Sequence, residues 1–141
     1  MREKLDNSDH AMAVNSLRRL VRELERHPET CRHEQIRALM NEGEEMLLFE
    51  AIEPMRMVEL INQVPAGQRH LLFNHVLRNY RMSSENEPLL DAKNSKLLHN
   101  WINGFESGLK ELCNNKHLSP LRCEIYDQMA HTAGKFKHSG K

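Results

Sequence analysis

The stretch QRHLLFNHVLRNYRM, residues 68–82, holds three arginines and two histidines with no acidic residue. Arg69, Arg78 and Arg81, with Asn74, His75 and Asn79 beside them, are the side-chain types that contact phosphate and base edges from an exposed helix. Set against that chemistry, the chain carries 20 basic and 20 acidic residues and no net charge, so it lacks the broad positive field of a general nucleic-acid binder. Eight glutamates against three arginines in residues 28–63 lie directly upstream and would oppose phosphate binding unless they faced away.

Metal chemistry is the next possibility, through Cys31 and His33 and through the Cys113, His117 and Cys123 cluster. Structural zinc needs four ligands at recognisable spacings, and neither C-x2-C nor H-x3-H occurs. The sequence therefore predicts no metal and no cofactor, with Cys113 and Cys123 acting as small buried hydrophobes. Three cysteines cannot all pair within one chain, which favours a reducing, cytoplasmic setting. The nine histidines are scattered rather than clustered.

Catalytic signatures are missing from the sequence. It contains no nucleophile elbow and no phosphate-cradling glycine loop, and His33-Glu34 lacks the second histidine of H-E-x-x-H. Adjacent carboxylates at Glu42, Glu44 and Glu45 read as solvated charges at a helix junction. The expectation is a protein without catalytic residues, a helical enzyme being the third-ranked reading.

Surface for a protein partner or for self-association is easier to find. Eight methionines give adaptable apolar area. EEMLLFEAIEPMRM, residues 44–57, holds more apolar residues than one face of a short helix can hide. Met46, Leu48, Phe49 and Met55, together with Arg69, Arg78 and Arg81 to orient a contact, are the candidate partner-binding residues. The first reading is a small interaction module, an adaptor, chaperone or regulator; the second is a nucleic-acid-binding regulator that uses helix 68–82.

The elements that position these residues are helical. Leu, Met, Glu, Arg and Lys outnumber β-branched and aromatic residues, and 141 residues suit one domain with a sizeable core. Val14, Leu17, Leu20, Val21 and Leu24 form a first amphipathic stripe that Pro28 stops. A second helix from about Thr30 through Ile36, Leu39 and Met40 meets Gly43, and residues 44–52 read as a short third. Pro54 opens a fourth with Met57, Val58, Leu60, Ile61 and Val64, broken by Pro65 and Gly67.

In the quoted segment Leu72, Phe73, Val76, Leu77 and Tyr80 make a core face, and SSENEP at 83–88 reads as a loop. Residues 94–113 carry the clearest stripe, Leu97, Leu98, Trp101, Ile102, Phe105, Leu109 and Leu112. Gly104 and Gly108, one turn apart, would let another backbone approach. Ser119 and Pro120 cap a last helix with Leu121, Ile125, Tyr126, Met129 and Ala133 facing inward. The expected fold is all-α, a single compact irregular or orthogonal bundle of six or seven helices over 1–141, with 1–8 and 134–141 as flexible ends. The N-terminus lacks an apolar signal core and no stretch is long enough to span a membrane.

Overall fold

A computed structural model of the protein describes residues 7–30, 34, 36–37, 48–85 and 92–139. The described residues form an all-α bundle. Its helices are α1 (Asn7–Arg26), α2 (Leu48–Ala51), α3 (Pro54–Gln63), α4 (Ala66–Glu85), α5 (Ala92–Lys116) and α6 (Pro120–Ser139), with a 3-10 turn at Pro28–Thr30. Residues 34, 36 and 37 are also helical, and Ile36 is fully buried. Leu39, Met40 and Gly43 lie outside the described residues. No described helix is long and apolar enough to cross a membrane.

One hydrophobic cluster collects the stripes of all six helices. Val14, Leu17, Val21 and Leu24 of α1 are buried, as are Met57, Val58, Leu60 and Ile61 of α3 and the predicted face of α4. Burial of these side chains, worth about 1.5–3 kcal/mol each, is what makes short amphipathic helices persist. Phe73, Phe105 and Trp101 form an aromatic row between α4 and α5. Their ring centroids are 6.0 Å apart for the first pair and 5.2 Å for the second.

Helix α3 lies across α5, and the two glycines are the reason it can come so close. A Cβ on Gly104 would stand 2.9 Å from Cγ of Pro54, and one on Gly108 would stand 3.0 Å from Sδ of Met55 and 3.1 Å from Val58 Cγ2. Pro54 occupies the start of α3, where its missing N–H is no loss. Val64 ends the helix in an extended conformation, with its N–H donating to Leu60 O. The break therefore falls at 64–65; Gly67, expected to take part in it, sits inside the first turn of α4.

Two other boundaries differ from expectation. Helix α4 continues through Ser83 and Ser84 to Glu85, so that part of the expected loop is helical, while residues 86–91 lie outside the described set. Ser83, a turn former by type, is fully buried and its hydroxyl donates to Asn79 O at 2.9 Å, which satisfies it without leaving the helix. At the other end α6 runs on to Ser139, past the start of the expected tail at 134, and Ala133 and Gly134 are buried.

Helices α5 and α6 form a hairpin. His117 closes α5 in the left-handed region at φ 51, with its N–H donating to Cys113 O. Ser119 then caps α6, its Oγ accepting from the N–H of Arg122 at 3.4 Å. Across the connector Cys113 and Cys123 are joined by a disulfide with Cα atoms 5.3 Å apart. Both are partly exposed, so the reading of two separate buried thiols is replaced by a cross-link. Three cysteines still cannot all pair within one chain, and Cys31 is the odd one.

Candidate functional site

The sequence pointed to two surfaces, and the structure distributes their residues differently. On α4, Arg78, Arg81, His70 and Asn74 are exposed and His75 is half-buried. Asn79, read as available for base contacts, is 7% exposed. Arg81 stands 4.0 Å from Glu85, a solvent-exposed pair of little energetic weight. Arg69 does not share this face: its Nη2 donates to the carbonyl of Asn62 at the end of α3 at 3.3 Å. The three arginines are thus two exposed side chains and one drawn into the bundle.

Of the apolar candidates, Phe49 is turned into the core at 6% exposure, together with Ala51 and Ile52. Met55 is half-buried and meets α5 at Gly108. Met46 lies outside the described residues, as does the side chain of Leu48. Helix α2 is only four residues long and is enclosed by α1 and α5, which lets its apolar residues be buried on more than one side. Counting one buried face per helix overestimates the exposed area of such a short turn.

The cysteine and histidine cluster is likewise resolved into structure. The disulfide uses both thiols of Cys113 and Cys123, and His117 is an exposed helix-ending residue. Cys31, His33 and the carboxylates at 42–45 lie outside the described residues.

A surface that no motif announced is an open cleft of about 650 Å³ where α1, α2 and the start of α3 meet the first turns of α5. Phe49, Ile52 and Trp101 line its base, and Leu97, 38% exposed, lies on its α5 side. The indole N–H of Trp101 donates to Ile52 O at 2.8 Å and fixes the ring between α2 and α5. Exposed Lys93 and Arg18 flank the cleft, with Glu50 and Glu53 among its lining residues.

Two contacts hold the walls. Arg18 Nη2 donates to Glu50 O at 3.3 Å and joins α1 to α2. Arg56 binds the Glu25 carboxylate through both Nε, at 3.1 Å, and Nη2. Chiefly through that hydrogen bond, the Arg56 pKa is held above its ordinary value. The charge of Arg56 is matched to α1, whereas Arg18 and Lys93 have no carboxylate within ion-pair distance among the described residues.

Comparison of this chain with protein-family models, curated proteins and solved structures returned no match.

An open trough with an apolar base and charges of both signs at its edge differs from a small-molecule site, which encloses most of its ligand. It offers area, a few apolar anchors and charges to orient a segment laid across it. Leu97 was legible as part of the α5 stripe, but nothing in that spacing separates it from Leu98, which is buried. Lys93, Arg18 and Glu53 were missed, because they come together only through the packing of helices distant in sequence.

Proposed function

We propose that the protein is a non-catalytic module that binds another protein through the cleft between α2, α3 and α5. The observation that carries the proposal is the position of Leu97, 38% exposed beside the buried ring of Trp101 in a cleft with flanking charges of both signs. A segment presenting one or two apolar side chains could seat them against Leu97 and the edge of Trp101, where displacement of water from apolar surface gives the driving force. Lys93 and Arg18 would pair with its carboxylates and Glu53 with its cations, so that charge sets direction more than affinity.

The nucleic-acid reading has less support. Arg69 is engaged at Asn62, and the exposed arginines that remain on α4, Arg78 and Arg81, include one within 4.0 Å of Glu85. Few phosphate contacts give little counterion release and therefore little affinity.

A random peptide library displayed on phage, selected on the wild-type protein, tests the proposal. Peptides with apolar residues at helical or alternate spacing are expected to bind the wild type. They should lose binding to Leu97→Glu and Lys93→Glu, with backbone amide shifts at 49–53 and 93–101. Both residues are exposed, so the variants should keep wild-type thermal unfolding. Binders indifferent to both substitutions would overturn the proposal. So would tight, salt-sensitive binding of duplex DNA or RNA that is lost in the Arg78→Ala, Arg81→Ala double variant.

A further inference from the structure

At the far end of α3 from the cleft's opening turn, two arginines from different helices converge on one residue. Arg69 of α4 and Arg122 of α6 each donate from Nη2 to the carbonyl oxygen of Asn62, both at 3.3 Å. Arg122 Nη2 also donates to Asn62 Oδ1 at 2.6 Å, and the hydroxyl of Tyr126 donates to the same Oδ1 at 2.9 Å.

Part of this arrangement is explained by the helix end. Asn62 O belongs to the last turn of α3, whose carbonyls have no partners within the helix and attract cations. One guanidinium would satisfy it. The second brings another positive charge within a Debye length of the first, and neither arginine has a carboxylate at ion-pair distance among the described residues. Nor do the helices relieve the charge: Arg69 and Arg122 lie near the N-termini of α4 and α6, the positive ends of two 20-residue helices, and neither first turn carries an acidic residue.

Hydrogen bonding at the junction is incomplete as well. A guanidinium has five N–H donors. Among the described residues Arg69 Nε and Arg122 Nε are buried without an acceptor, and Gln68 Oε1 is buried without a donor, although each arginine keeps part of its side chain at the surface. Buried donors without partners cost about 1–3 kcal/mol each, more when charged. What the two arginines lack among the described residues is negative charge with oxygens placed to accept from their Nε–H groups.

We propose that the junction of α3, α4 and α6 binds a dianionic oxyanion of the phosphate class between Arg69 and Arg122. Each guanidinium keeps N–H donors that are not committed to Asn62, and two such cations from different helices match the charge of a dianionic tetrahedral oxyanion. Asn62 and Tyr126 act as positioning residues that hold Arg122 in place. The site is separate from the cleft and does not depend on the partner reading.

Titration of the ¹⁵N-labelled protein with inorganic phosphate, at ionic strength held constant with chloride, tests the site directly. Saturable shifts of the amides at 66–69 and 120–122 and of the two arginine Nε–H signals are expected. Arg69→Gln should weaken phosphate binding by about tenfold or more, the loss of one charge-assisted contact, while Arg78→Gln on the exposed face of α4 leaves it unchanged. Arg122→Gln should do the same; because it also frees Asn62, its fold is checked by thermal unfolding, and Arg69→Gln stands alone if it fails. Shifts that follow chloride equally, that map elsewhere, or that survive Arg69→Gln would overturn the assignment. Acetate bound as tightly as phosphate would overturn the dianion class.

Discussion

The indole nitrogen of Trp101, in the middle of the bundle, donates its proton to the carbonyl oxygen of Ile52, 49 residues away in sequence and 2.8 Å away in space. Ile52 follows the last residue of α2, where a carbonyl has no helical partner, so a core side chain caps a chain turn. Trp101 also stacks on Phe105. Trp101→Ala should therefore lose about 3–5 kcal/mol of stability through the lost volume. Trp101→Phe should lose about 1–3 kcal/mol by stranding a buried carbonyl while keeping a ring. Denaturant unfolding of the two variants checks this, and equal stability of Trp101→Phe and wild type would show that Ile52 O is satisfied by other means.

The glycines of α4 and α5 make a paired prediction of opposite sign. Gly67 has open space where a Cβ would stand and no positive φ, so Gly67→Ala should stabilise by about 0.4–1 kcal/mol by restricting the unfolded chain. Gly104→Ala gains a similar helix preference but places its Cβ 2.9 Å from the rigid ring of Pro54, and overpacking of about 1–3 kcal/mol should win. Thermal midpoints should rise for the first and fall for the second. A rise for both would mean that α3 can move away from α5 at little cost.

Reduction should weaken the protein measurably. A cross-link between positions 10 residues apart removes denatured-state entropy worth roughly 2–3 kcal/mol. Guanidinium unfolding with and without a phosphine reductant should show a lower midpoint when reduced, and the Cys113→Ser, Cys123→Ser double variant should match the reduced protein. Cys31→Ser serves as the control that leaves the cross-link in place. Midpoints that do not respond to reductant would show that the two sulfurs contribute nothing as a bond.

Long, periodic segments were readable in the sequence, because burial follows directly from helical spacing. The α5 stripe from Leu98 to Leu112 and the α4 face from Leu72 to Tyr80 are buried as their spacing required. Pro54, Ser119 and Pro120 act at helix starts for the local reasons their types suggest. Residue type misled where tertiary burial overrode it. Ser83 reads as a turn former, yet it is fully buried within α4 and bonded back to Asn79. Phe49 reads as surplus apolar surface, yet α2 is covered on several sides.

The cysteine pair escaped notice because the turn that brings Cys113 and Cys123 together depends on His117 adopting a left-handed conformation. Neither candidate surface had a local pattern to find. The cleft needs residues near 18, 50 and 97 at once, and the arginine junction needs 62, 69 and 122.

The notch that Gly104 and Gly108 cut into α5 also decides how the cleft can respond to a visitor. Pro54 fills one end of the notch, and Met55 and Val58 fill the other. Sliding α3 by one turn along α5 would set Trp101 against Pro54 in one direction, or Leu112 against Met55 and Val58 in the other; both are large side chains where only a hydrogen now fits. The two helices are keyed to a single register. Since Ile52 and Pro54 line the cleft from the α2–α3 side and Leu97 and Trp101 from α5, its width is fixed by the key rather than by the occupant. A partner would meet a preorganised surface, and the conformational entropy lost on docking would fall mainly on the partner.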